Sequence, residues 1–227
     1  MKCTGSGAVL GAFWGAALGA ALLALFAPGT AAQVRSVSAE YDEGYLAYGR
    51  GDYAAALRHW RSEAERGNAA AQHNLSLLYD RGDGVPQNFG EALKWTKAAA
   101  EQGNDAAQLR LGMIYAEGRG AKRDPAEAVN WFRRAAEQGN PQAQYNMGAI
   151  FEQGRGAGRD LVQAHMWYNL AAANLGIGWD RADAFASRDR VAALLTPEKL
   201  AEAQKRAQEW TPAAKPQQAQ QMQAPRQ

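Results

Sequence analysis

The chain has 227 residues, 25 basic and 23 acidic side chains, a formal net charge of +2 and a single cysteine. A charge this near neutral gives no general electrostatic pull toward nucleic acid, so no nucleic-acid partner is expected. The lone Cys3 excludes a disulfide framework and thiolate metal sites.

Lys2 supplies a short positive start, and Leu10 to Phe26 form an apolar run that Pro28-Gly29 breaks. Thr30-Ala31-Ala32 then offers the small residues a signal peptidase needs before Gln33. Residues 1–32 therefore predict a secretory signal peptide and a periplasmic or secreted protein. The alternative is an inner-membrane anchor left uncleaved, because the run is nearly long enough to span a bilayer. Gly11, Gly15 and Gly19 would then form a small-residue row for helix packing. Membrane contact is expected only in that case.

Residues 40–68 predict an N-terminal capping helix pair. Tyr41 to Tyr48 forms one short helix and Asp52 to Arg66 the other, with Asp52 at the N-cap and Gly67-Asn68 closing the unit.

A self-similar unit of 36 residues follows, as repeat 1 (69–104), repeat 2 (105–140) and repeat 3 (141–176). In register stand Ala71, Ala107 and Ala143, then Leu75, Leu111 and Met147, then Tyr79, Tyr115 and Phe151. The loops align as Gly82, Gly118 and Gly154 and as Gly84, Gly120 and Gly156. The second halves align at Trp95, Trp131 and Trp167 and at the alanine pairs that follow. A period in this range specifies stacked units rather than one globular core. In repeat 2, Ala107, Leu111, Ile114 and Tyr115 give a helical stripe that the loop glycines end. Asp124 and Pro125 start the next helix as N-cap and first helical residue. Glu127 stands three residues after Asp124, the spacing of a capping box, as Glu91 does after Asn88. The tryptophans read as core rather than as a ligand box.

Residues 177–210 predict C-terminal capping helices, Arg181 to Leu195 and Pro197 to Trp210, the latter capped by Thr196. Leu200, Ala203, Ala207 and Trp210 give that helix an apolar stripe able to cover the open end of the stack. Residues 211–227, rich in Pro, Ala and Gln, predict a disordered tail. The fold class expected is all-α, an α-α superhelix (solenoid) of antiparallel helix pairs closed by capping helices.

The pattern A-x-x-x-[LM]-[SG]-x-x-[YF]-x-x-G-x-G, followed by [ND]-x-x-x-A-x-x-W-x-x-x-A-A, runs three times in fixed register over 69–176. It resembles the SEL-one-like repeat (SLR) family, relatives of the tetratricopeptide repeats. The resemblance implies a right-handed superhelix with the first helices lining a concave side. It also implies an adaptor or scaffold for protein complexes, often at bacterial cell surfaces. Some cysteine-rich secreted relatives have been linked to penicillin binding or β-lactam hydrolysis, but their stapled repeats are absent here.

If the first helices line a concave side, positions that vary between copies are the candidates for partner contact. These are His73, Leu109 and Tyr145, then Asn74, Arg110 and Asn146, then Leu77, Met113 and Ala149. For chemistry the chain offers little. His59, His73 and His165 form no HExxH or i, i+4 pair, and no G-x-S-x-G or S-x-x-K occurs. His165 reads as a solvated or packing residue, and carboxylate pairs such as Glu63 and Glu65 as solvated helix faces. The expectation is a non-enzymatic, monomeric scaffold that binds a protein or peptide, with no cofactor and no metal. The alternatives are a cell-envelope factor that binds peptidoglycan and a β-lactam enzyme.

Overall fold

A computed structural model describes residues 43–213; the segment read as a signal peptide and residues 214–227 lie outside the described residues. Among the described residues every regular element is a helix, and none is a strand. Helix α1 (43–49) pairs with α2 (Tyr53–Glu65). The three repeats contribute α3 (Ala69–Arg81) with α4 (Phe89–Glu101), α5 (Asp105–Glu117) with α6 (Pro125–Glu137), and α7 (Pro141–Gln153) with α8 (Leu161–Asn174). Helices α9 (Trp179–Ala192) and α10 (Pro197–Glu209) close the chain. Each helix packs on the next from α2 to α9, whereas α10 folds back onto α8. This is the α-α solenoid of stacked hairpins.

The two loop glycines have different tasks. Gly82, Gly118 and Gly154 end the first helices in the left-handed conformation, and their N–H groups donate to the carbonyls of Leu78, Ile114 and Ile150. The second set joins one repeat to the one before. A Cβ on Gly84 would lie 2.8 Å from the backbone of Tyr53, one on Gly120 3.0 Å from Phe89, and one on Gly156 2.7 Å from the Pro125 carbonyl oxygen. Each of those targets is the first residue of the preceding unit's second helix. Positive φ and close approach together leave only glycine.

The caps form as half of the capping-box pattern. Asn88, Asp124 and Asp160 accept from N–H groups two and three residues on. Their own N–H groups, however, donate to the carbonyls of Tyr79, Tyr115 and Phe151 across the hairpin. The reciprocal bond expected of Glu127 and Glu91 is therefore displaced. Glu127 instead accepts from the Trp131 indole at 2.8 Å, and Glu91 pairs with Lys94 at 3.4 Å.

Inside the capping pair and repeats 2 and 3 a glycine faces a large ring. A Cβ on Gly112 would come within 2.6 Å of the Phe132 ring, one on Gly148 within 2.6 Å of Tyr168, and Gly44 abuts Trp60 in the capping pair. The alanine, Leu75, Leu111 and Met147 rows are fully buried, as are Trp131 and Trp167 nearly so; Trp95 is half-buried. Glu63, expected on a solvated face, is instead fully buried beside Arg66 at 2.5 Å. It occupies the place that Ala99, Ala135 and Ala171 fill in the repeats, so the helix stripe itself carries it inward.

A ladder of buried glutamines crosses the stack. The amides of Gln72, Gln108 and Gln144 donate to the carbonyls of Ala64, Ala100 and Ala136 in the preceding unit, at 3.1, 3.1 and 3.3 Å. Their oxygens accept from Gln102, Gln138 and Asn174 at the end of their own hairpin. Each glutamine thus ties three helices, and adds a second bond to a helix-end carbonyl that already accepts from the N–H of Gly67, Gly103 or Gly139.

At the C-terminal end Arg190 makes a two-point contact with Glu152, 3.0 Å on each branch, and Tyr168 donates to the same carboxylate at 2.8 Å. Helix α10 buries Ala203 and Ala207, and Trp210 meets Trp167 edge to face at 6.4 Å. The tail expected to be disordered from 211 is held for its first three residues: the Ala213 N–H donates to the Glu137 carbonyl at 2.7 Å, and Pro212 lies against Gly139.

Candidate binding groove

The variable residues of the first helices fall at three junctions, and the structure treats each junction differently. Between repeats 1 and 2 the space is filled. Arg110 reaches Asp80 at 2.7 Å, Asn74 is only 6% exposed, and Leu77 and Leu109 are half-buried. His73 is enclosed beside them with its Nδ1 unpartnered. Burial, and next the Arg110 guanidinium, lower its pKa to about 4, so the ring is neutral at ordinary pH.

Between repeat 3 and the C-terminal helices the space is filled as well. Tyr145 donates to Asp183 and packs its ring 5.3 Å from Tyr168. Burial, then the bond to Asp183, raises the Tyr145 pKa. The Arg190 contact holds the Glu152 carboxyl below its usual range, and burial followed by the bond to Glu152 raises Tyr168. These groups tie α9 to α7 and α8 across the first-helix side of repeat 3.

Between repeats 2 and 3 a cavity of about 410 Å³ opens. Met113, 39% exposed, and Asn146 stand on its walls with Ala149. Val129, Phe132 and Ile150 make an apolar floor. Arg123 and Arg155 stand at the rim with Glu117. The register explains the opening. Where repeat 1 has Asp80, repeat 2 has Ala116 and repeat 3 has Glu152; where repeat 2 has Arg110, repeat 3 has Asn146. The groove lies at the junction that lacks a charged pair to close it.

Of the residues singled out from sequence, Met113, Asn146 and Ala149 meet at this groove; His73, Asn74, Leu77, Leu109, Arg110 and Tyr145 stand elsewhere. The floor and the two rim arginines escaped the sequence reading. The signal that finds them is the Asp80, Ala116, Glu152 row, in which the middle copy alone lacks a charge. His165 is 3% exposed, and burial lowers its pKa, so it is a packing residue. Among the described residues no three His, Cys, Asp or Glu side chains gather where they could hold a metal ion. No helix there is long and apolar enough to cross a membrane.

The Sel1 repeat family matches residues 69–104, 105–140 and 141–174. A crystal structure of a Sel1 repeat protein from Oxalobacter formigenes is 39% identical, covering 60% of this chain and 97% of its own, with a TM-score of 0.53. A protective antigen present in uropathogenic Escherichia coli strains, displaying an SLR fold, is 28% identical. That alignment covers 86% of this chain and 50% of the antigen, with a TM-score of 0.54. No curated protein matches the chain.

Proposed function

Because this chain belongs to the Sel1 repeat family, whose repeats generally mediate protein–protein interaction, we propose that it is a non-enzymatic scaffold holding a protein or peptide partner on its first-helix face. The observation that carries this reading is the open groove between repeats 2 and 3, at a junction whose neighbours on both sides are closed by ion pairs. The curvature of a solenoid creates an extended concave surface, and that is the surface such proteins use for binding. The periplasmic or secreted location rests on the character of residues 1–32.

A photo-crosslinking residue at Met113, compared with one at Arg133 on the exposed side of α6, tests the reading in the native cell. A discrete protein adduct from position 113 and none from 133 is the expected result. Adducts from both positions alike, or adducts to glycan strands, would move the site or the partner class.

A further inference from the structure

We propose that the groove between repeats 2 and 3 takes an extended peptide segment of a partner protein, carrying a large apolar side chain flanked by a carboxylate. The inference rests on the scaffold reading above and narrows it to one place and one chemistry.

The groove has the length of a peptide rather than of a compact ligand. From Gln142 to Gln153 it follows α7 for roughly 17 Å at ~1.5 Å per residue. An extended chain covers that distance in about five residues at ~3.3 Å each. Along this run the exposed Met113 and the half-buried Ala116, Ala149 and Ile150 present apolar surface over the buried Val129 and Phe132; water solvates it poorly, and a Leu- or Phe-sized side chain would cover it. Asn146 adds an amide with both a donor and an acceptor, the pair that a peptide backbone needs.

The charge at the rim selects the flanking group. Arg123 and Arg155 are both exposed there. Arg123 commits only its Nε, to the Ala116 carbonyl at 3.0 Å, and its two terminal nitrogens remain for a ligand. Glu117, the one rim carboxylate, faces Arg119 at 3.6 Å. The field over the groove is therefore positive, and guanidinium groups bind carboxylates through paired, charge-assisted bonds. The chain's own residues 214–227 do not fit this field, since their only charged side chains are Lys215 and Arg226.

The test is a phage-displayed random nonapeptide library panned on the purified protein, with the enriched sequence synthesised and measured by fluorescence anisotropy. Enrichment of Asp or Glu beside Leu, Ile, Phe or Met, at one site per chain and weakening with salt, is expected. Arg155→Glu should weaken that peptide about tenfold or more, and a version with Lys for its acid should bind the variant better than the acidic original. Ala149→Trp fills the groove and should abolish binding, with circular dichroism confirming the fold. Arg155 is exposed, so the charge swap stands as a test even where the tryptophan variant misfolds. Binding unchanged in both variants, or enrichment of basic sequences, overturns the groove while leaving a peptide-holding scaffold intact. A library that yields nothing, together with no protein adduct at Met113, overturns both.

Discussion

At the scale of single residues, the enclosed His73 makes stability depend on pH. Its folded pKa of about 4 lies below the 6.5 of a free imidazole, so the unfolded chain takes up the proton first as pH falls. The contribution is complete above pH 6.5 and is lost progressively down to about pH 4, by about 2–3 kcal/mol in total. Asp105 tempers the loss, and Arg110, itself paired with Asp80, deepens it. His73→Leu, which copies Leu109 of the next repeat, should flatten the fall in urea midpoint between pH 7 and pH 4.5. An unchanged slope would place the proton uptake elsewhere. Gly112 offers a second test at this scale. Gly112→Ala pushes a methyl into the Phe132 ring and should cost about 1–3 kcal/mol by overpacking. Pairing it with Phe132→Leu should cost less than the two single changes summed, a coupling that a denaturation double-mutant cycle reads directly.

At the scale of helices, most of the architecture is legible because it repeats. Copies laid in register reveal the Ala, Leu and Trp rows, the cap residues and both glycines of each loop. Each is a local requirement, met by the residue itself and its near neighbours in sequence. What register alone does not reveal is where a polar group finds its partner. Glu127 has the spacing of a capping box, yet the Asp124 N–H finds the Tyr115 carbonyl across the hairpin. Gln72, Gln108 and Gln144 recur as plainly as the tryptophans, but a glutamine beside an alanine looks like surface until the facing helix is known. The groove was legible only in part for the same reason: Met113, Asn146 and Ala149 lie on predicted helix faces, while Phe132 enters it from the neighbouring helix. The ladder carries its own prediction. Gln108→Leu removes the buried partner of the Gln138 amide and one of the two bonds to the Ala100 carbonyl, which keeps the Gly103 N–H, and should destabilise by about 1–3 kcal/mol. Exposed Gln142→Leu one repeat later should cost less than about 0.5 kcal/mol in the same melt.

At the scale of the whole molecule, stability in a stack is a sum of units and the interfaces between neighbours, so a change at one end is felt most by the units it touches. The C-terminal segment departs from strict neighbour contact. Helix α10 returns over α8, and Trp210, Pro212 and Ala213 continue past it to the end of α6. It therefore clasps repeats 2 and 3 together, the two units whose junction forms the groove. Ending the chain after Glu209 removes the Trp167 contact and the Glu137 hydrogen bond while leaving α10 whole. Amide hydrogen exchange should then quicken in α6, α7 and α8 and stay as in the full chain in α2 and α3. If the clasp sets the spacing of the groove, loosening it should also change the exchange of α5 near Met113, which the removed residues do not touch. Faster exchange confined to α10 itself would mean that the clasp is a passive end, and that repeats 2 and 3 hold their junction through contacts such as those of Gln144 and Gly156 without it.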